Sequence, residues 1–124
     1  MNILLWGLQV VLAVAFLAHG WMFLFPPASL VALMNAAISP PFRLFIGGAE
    51  VLAAIGLTLP GFTRILPWLV PAAAAGLMIV MTGAAILHAS RGEVFSTIST
   101  AMLFALLTFV AYMRWRVLPI PGRA

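Results

Sequence analysis

Four apolar stretches, at residues 3–25, 43–59, 66–88 and 94–113, make up most of this 124-residue chain. As helices rising about 1.5 Å per residue, the second would extend about 25 Å and the other three about 30–35 Å. The hydrocarbon core of a bilayer is about 30 Å thick, so all four qualify as spans and the second is short. Local thinning, burial in the bundle or a start among the headgroups would accommodate it. The charge inventory points the same way. Charged residues are 6% of the chain and hydrophobic ones 65%, against about 25% and about 45–50% in soluble proteins. Six arginines and two glutamates, without lysine or aspartate, cannot clothe a water-facing surface. The fold class this implies is an all-α integral membrane protein: one membrane domain over 1–124, built as a four-transmembrane-helix bundle.

Other classes fall away quickly. The arginines are scattered and form no basic face for a nucleic acid. With no cysteine there is no disulfide, thiolate metal site, iron–sulfur cluster or c-type haem attachment, and no dithiol-to-quinone exchange chemistry. The first stretch has no basic residue ahead of it and outruns a typical signal-peptide core, so it reads as a retained helix.

Four spans place both termini and the connection between spans two and three on one side, with Arg64, Arg114, Arg116 and Arg123. Arg43 and Arg91 fall on the other side. The excess favours both termini in the cytoplasm, and Trp6, Trp68 and Trp115 opposite Trp21 suit an aromatic belt at each interface. The connection at 26–41 carries Leu30, Val31, Leu33, Met34 and Ile38 after Ser29, a candidate cap. It predicts a short helix lying at the outer interface.

Converting position into depth concentrates the polar side chains in the outer half. His19 lies about 9 Å below the outer end of span one and Glu50 about 10 Å below that of span two. Arg43, Gly47 and Glu50, spaced four and three apart, share one helix face, and Gly47 with Gly48 leaves room for a neighbour or a ligand. His88, Asn35, Thr97 and Thr100 complete the candidate ligand-binding set with Glu50, His19 and Arg43. Glu50 is the one acid inside a span, where a charge costs about 2.5–3.5 kcal/mol or more. It reads either as a structural ion pair with Arg43 or a helix-locking hydrogen bond, or as a binding and proton-transfer group. His19 and His88 as axial haem ligands would sit about two turns apart in depth, which disfavours haem. No metal-ligand spacing joins them to Glu50. The inner half offers mainly Gln9, Thr58 and Thr108. The small residues of span three, Ala72 to Gly76 and Gly83 to Ala85, read as close helix packing, within one subunit or between copies in an oligomer.

The stretch F-R-L-F-I-G-G-A-E-V-L-A-A-I-G-L-T-L-P at 42–60, the H-A-S-R-G-E at 88–93 and the Gly20 region with its Phe25-Pro26 exit resemble the DoxX-like family of small four-span bacterial membrane proteins. The signature residues map to Arg43, Gly47, Glu50, His88, Arg91, Gly92 and Glu93. Many relatives carry a lysine shortly after the span-one glycine, where this chain has Phe23. The resemblance implies a four-helix bundle in a bacterial inner membrane. It associates the chain with quinone-linked sulfur oxidation, membrane redox complexes or assembly of other proteins.

Three functions remain open at this stage. The first is a membrane module holding a small lipophilic ligand such as a quinone, with Glu50 and His19 on its polar atoms, Arg43 keeping the carboxylate charged and 26–41 as a lid. A redox partner subunit would then supply electrons. The second is a stand-alone isomerase or hydrolase of lipophilic substrates in which Glu50 and His19 are the acid–base pair. The third is a non-catalytic scaffold or assembly factor.

Overall fold

The computed structural model describes residues 1–122, so the expected topology charge at Arg123 lies outside the described residues. It is helical throughout, with no strand among those residues: α1 (Asn2–Leu24), α2 (Ala28–Ala37), α3 (Pro40–Thr63), α4 (Leu69–Ser90) and α5 (Val94–Tyr112), which continues into a π-helical turn (Met113–Val117). α1, α3, α4 and the stretch Val94–Val117 are each long and apolar enough to cross a bilayer. The protein is a multi-pass membrane protein.

The boundaries correct the sequence reading in places, each for a local reason. The second span is not short: α3 covers 24 residues, or about 36 Å, rather than 43–59. Pro40 and Pro41 fit its first turn, where no intrahelical N–H bond is needed. Pro60 lies in the last turns and forfeits one bond without ending the helix. α4 starts at Leu69, not 66, because Arg64 and Leu66 adopt left-handed backbone (φ 56° and 50°) and Leu66 precedes a proline. Pro71 then falls in the first turn of α4. Ser29 is not the cap of the interfacial helix; Pro27 precedes its first residue and Ser29 lies inside α2.

α1 packs along α3, α3 on α4 and α4 on α5, while α1 and α5 meet over a short length. A single core joins Leu12 and Phe16 of α1, Leu57 of α3, Leu77 and Met81 of α4, and Leu107 and Val110 of α5. Between 17 and 33% of each span's most apolar stretch is buried, so most of every span faces outward. Phe45, Leu52, Ile79 and Phe95 on that outer face are exposed in the isolated chain, as lipid contact requires. α2 is too short to span and has no buried residue. Arg91, in the α4–α5 turn, ties it down by donating from Nη2 to the Ala37 carbonyl at its C-terminal end, at 2.5 Å.

Candidate functional site

The site is set by the place where α1 and α3 touch backbone to backbone. A Cβ on Gly20 would lie 2.8 Å from the Gly47 carbonyl oxygen, and a Cβ on Gly47 would lie 2.9 Å from that of Gly20. Only glycine at both positions permits this approach. Gly48 looks onto open space.

The crossing fixes the register that brings the next residues together. His19 Nδ1 lies 2.7 Å from Glu50 Oε2. The two groups differ sharply in exposure: the Glu50 side chain is 1% exposed and the His19 side chain 47%. The carboxylate therefore sits inside the bundle while the imidazole reaches its outer face. Phe23, one turn beyond His19, packs its ring 4.4 Å from the imidazole centroid. With Glu50 ionised, Nδ1–H donates to it and Nε2 is left as the ring's free nitrogen, with no partner among the described residues. A carboxylate that holds one imidazole nitrogen fixes the ring's orientation and tautomer.

Arg43 is near this pair but not bonded to it. The expected Arg43–Glu50 ion pair is absent among the described residues. Arg43 is buried, and its Nη1 donates instead to the Phe23 carbonyl in the last turn of α1. It thus satisfies a carbonyl that the end of α1 leaves without a partner. Its Nε is buried without a partner among the described residues.

The other expected ligands make no hydrogen bond to the His19–Glu50 pair among the described residues. His88 pairs with Glu93 at 3.0 Å in the α4–α5 turn. Asn35 is exposed on α2. Thr97 and Thr100 bond to their own helix, through Glu93 O and through Ser96 O and Thr97 O. No three of His, Cys, Asp and Glu come together among the described residues.

Residues 7–110 match the sequence profile described as the DoxX-like family. The chain belongs to the DoxX-like family. No curated protein and no solved structure matches it significantly.

The geometry explains the motifs that carry this DoxX-like likeness. In H-A-S-R-G-E, Gly92 has φ 71°, and the Glu93 N–H bonds His88 O at 3.0 Å while the Gly92 N–H bonds Ala89 O at 3.1 Å. Those two bonds are a Schellman stop. Its usual apolar contact between the flanking positions is replaced here by the His88–Glu93 pair. The R-x-x-x-G-x-x-E of α3 instead serves the α1 interface: Arg43 on its end, Gly47 on its backbone and Glu50 on its histidine. Phe23 supplies both the ring against His19 and the carbonyl for Arg43.

Sequence reasoning missed a second polar cluster, near the chain termini. Arg114, read above as a surface topology charge, is 3% exposed. Its Nε donates to Gln9 Oε1 at 2.7 Å, and its Nη1 donates to Asn2 Oδ1 at 2.7 Å and Leu118 O at 3.0 Å. Gln9 in turn donates from Nε2 to Leu57 O at 2.8 Å, joining α1, α3 and the π-helical turn. One signal could have exposed it: Asn2 and Gln9, seven apart, lie on the same face of α1 as buried Leu5, Leu12 and Phe16.

Proposed function

We propose that this protein is a membrane module that binds the polar end of a small lipophilic ligand, quinone-like, at the His19–Glu50 pair. The supporting observation is the split exposure of that pair: a buried carboxylate holds the inner nitrogen of an imidazole whose ring is open to the outer face. An imidazole nitrogen facing hydrocarbon without a partner is costly, and a ligand travelling in the lipid can satisfy it.

The pair suits both forms of such a ligand. Neutral His19 accepts from a hydroxyl at Nε2, and Glu50 stabilises the imidazolium if that proton transfers. Protonated His19 donates from Nε2 to a carbonyl. Arg43 does not hold the carboxylate's charge; it secures the end of α1 on which His19 rides. Electrons would pass to or from a partner subunit of a redox system.

Two grooves in the structure are lined by neither His19 nor Glu50. One, of about 430 Å³ between α3 and α4, is walled by Leu52, Ile55, Gly56, Leu69 and Ala73 and is apolar. The ligand's polar end belongs, in this reading, to the α1–α3 surface where the His19 ring is exposed.

The orientation reading also sharpens. Arg43 and Arg114 are buried and capping carbonyls, so they drop out of the topology count. Arg64 and Arg116 remain exposed at the termini end, against Arg91 at the other. This supports both termini in the cytoplasm of a bacterial inner membrane.

Solvent extraction and native mass spectrometry of the purified protein test the binding claim. The expected result is a stoichiometric quinone or similar lipid that is lost on Glu50→Gln. Unchanged ligand content with only a lowered Tm would leave the pair as a helix lock and favour a scaffold role. Turnover of a lipophilic substrate without any partner would favour a stand-alone enzyme.

A further inference from the structure

The polar cluster at the termini end of the bundle has a charge that nothing among the described residues balances. Every partner of Arg114 is neutral: Gln9, Asn2, the Leu118 carbonyl and the Trp6 ring, 5.4 Å from the guanidinium carbon. Its Nη2 is buried and has no partner among the described residues. Both glutamates are engaged toward the opposite end, Glu50 with His19 and Glu93 with His88. A buried cation without counter-charge is strongly disfavoured, so an anion bound beside it would be stabilised.

A groove leads to it. Arg114 lines a cleft of about 240 Å³ together with Pro67, Trp68, Pro71, Trp115 and Ile120, between the start of α4 and the chain after the π-helical turn. We propose that this cleft binds a phosphate-class oxyanion, with the guanidinium of Arg114 as the charge-assisted donor. Trp68 and Trp115 are 53 and 58% exposed and mark the membrane interface, the depth at which phospholipid phosphates lie. Arg64 and Arg116, exposed at the same end, add attraction for an anionic headgroup. A headgroup phosphate and free phosphate present the same oxygens to Arg114. The site is independent of the His19–Glu50 pair.

The test follows Tm and retained adducts of the detergent-purified protein during titration with phosphatidylglycerol, diacylglycerol or inorganic phosphate. Phosphatidylglycerol should raise Tm and survive into native mass spectra, whereas diacylglycerol, which lacks the phosphate, should not. An equal response to inorganic phosphate would identify the source as a soluble oxyanion; a response to the lipid alone would identify the headgroup. Arg114→Gln should weaken binding about ten- to a hundredfold, the range for losing a hydrogen bond to a charged group. Arg114→Lys should retain part of it, and Arg64→Gln with Arg116→Gln should change it only a few-fold. No response to either phosphate compound overturns the proposal. So does an equal response to diacylglycerol, or a loss that follows Arg64 and Arg116 rather than Arg114. The wild-type comparison decides even if Arg114→Gln does not fold.

Discussion

Replacing Gly20 by alanine strikes the contact on which the outer-half site depends. The new Cβ would meet the Gly47 carbonyl oxygen at 2.8 Å, Val51 Cγ2 at 3.0 Å and Glu50 Cβ at 3.1 Å. Even weak C–H···O contacts need about 3.3–3.6 Å, so α1 and α3 must part by about half an ångström. The obstacle is backbone and cannot rotate aside. Overpacking of this kind costs about 1–3 kcal/mol, and alanine's better helix propensity returns up to about 1 kcal/mol. Gly83→Ala supplies the control, because nothing lies within 4 Å of a Cβ there. The propensity gain cancels between the two variants, so Gly20→Ala should be less stable than Gly83→Ala by about 1–3 kcal/mol. The same separation would stretch the His19–Glu50 bond from 2.7 Å toward the limit of a hydrogen bond. Gly47→Ala should behave alike, and the double variant should lose less than the sum, because one separation relieves both clashes. Thermal unfolding in a mild detergent reads all four. Equal Tm for Gly20→Ala and Gly83→Ala, or full additivity in the double variant, would refute the backbone crossing.

Other outcomes follow from the remaining contacts. Gln9→Leu removes the bond to Leu57 O and orphans the Nε of Arg114, so it should cost about 1–3 kcal/mol. Thr108→Val loses only a bond within its own helix and should stay within about 0.5 kcal/mol; chemical denaturation compares the two. Gly92→Ala forces a side chain into φ 71° and should cost about 1–2 kcal/mol, with hydrogen exchange at Glu93 rising first as the α4–α5 stop loosens. For orientation, Val94→Cys should react with an impermeant maleimide on intact cells and Pro121→Cys should not, since the background holds no cysteine. The reverse pattern would invert the topology.

The spans were legible because hydropathy needs no tertiary information, and Glu50 stood out because a lone acid inside a span has few readings. The length of α3 was not legible: Pro60 resembles a stop unless the helix beyond it is held, as Gly61 is against Trp6. The partner choices were hidden for a related reason. Whether Arg43 meets Glu50 or Phe23 O depends on the register of α1 against α3, which the Gly20–Gly47 contact sets. Three arginines share a use that sequence position alone conceals. Arg43, Arg91 and Arg114 each donate to a carbonyl near the C-terminal end of a helical segment: Phe23, Ala37 and Leu118. A chain with so few charges spends half its arginines on carbonyls that lipid could not satisfy. By sequence position His88, Asn35, Thr97 and Thr100 share the outer half with Glu50, but depth does not specify azimuth: His88 pairs with Glu93, and Thr97 and Thr100 bond to carbonyls of their own helix and its cap.

The His19 imidazole itself offers the most direct test of the ligand reading. Nitrogen-15 NMR of histidine-labelled protein, with a short-chain quinone added, resolves two imidazoles, because the chain has two histidines. The account predicts that Nε2 of His19 shifts saturably while His88 does not, and that Glu50→Gln abolishes the shift. Unchanged His19 resonances at saturating quinone, or the same response from His88, would contradict it.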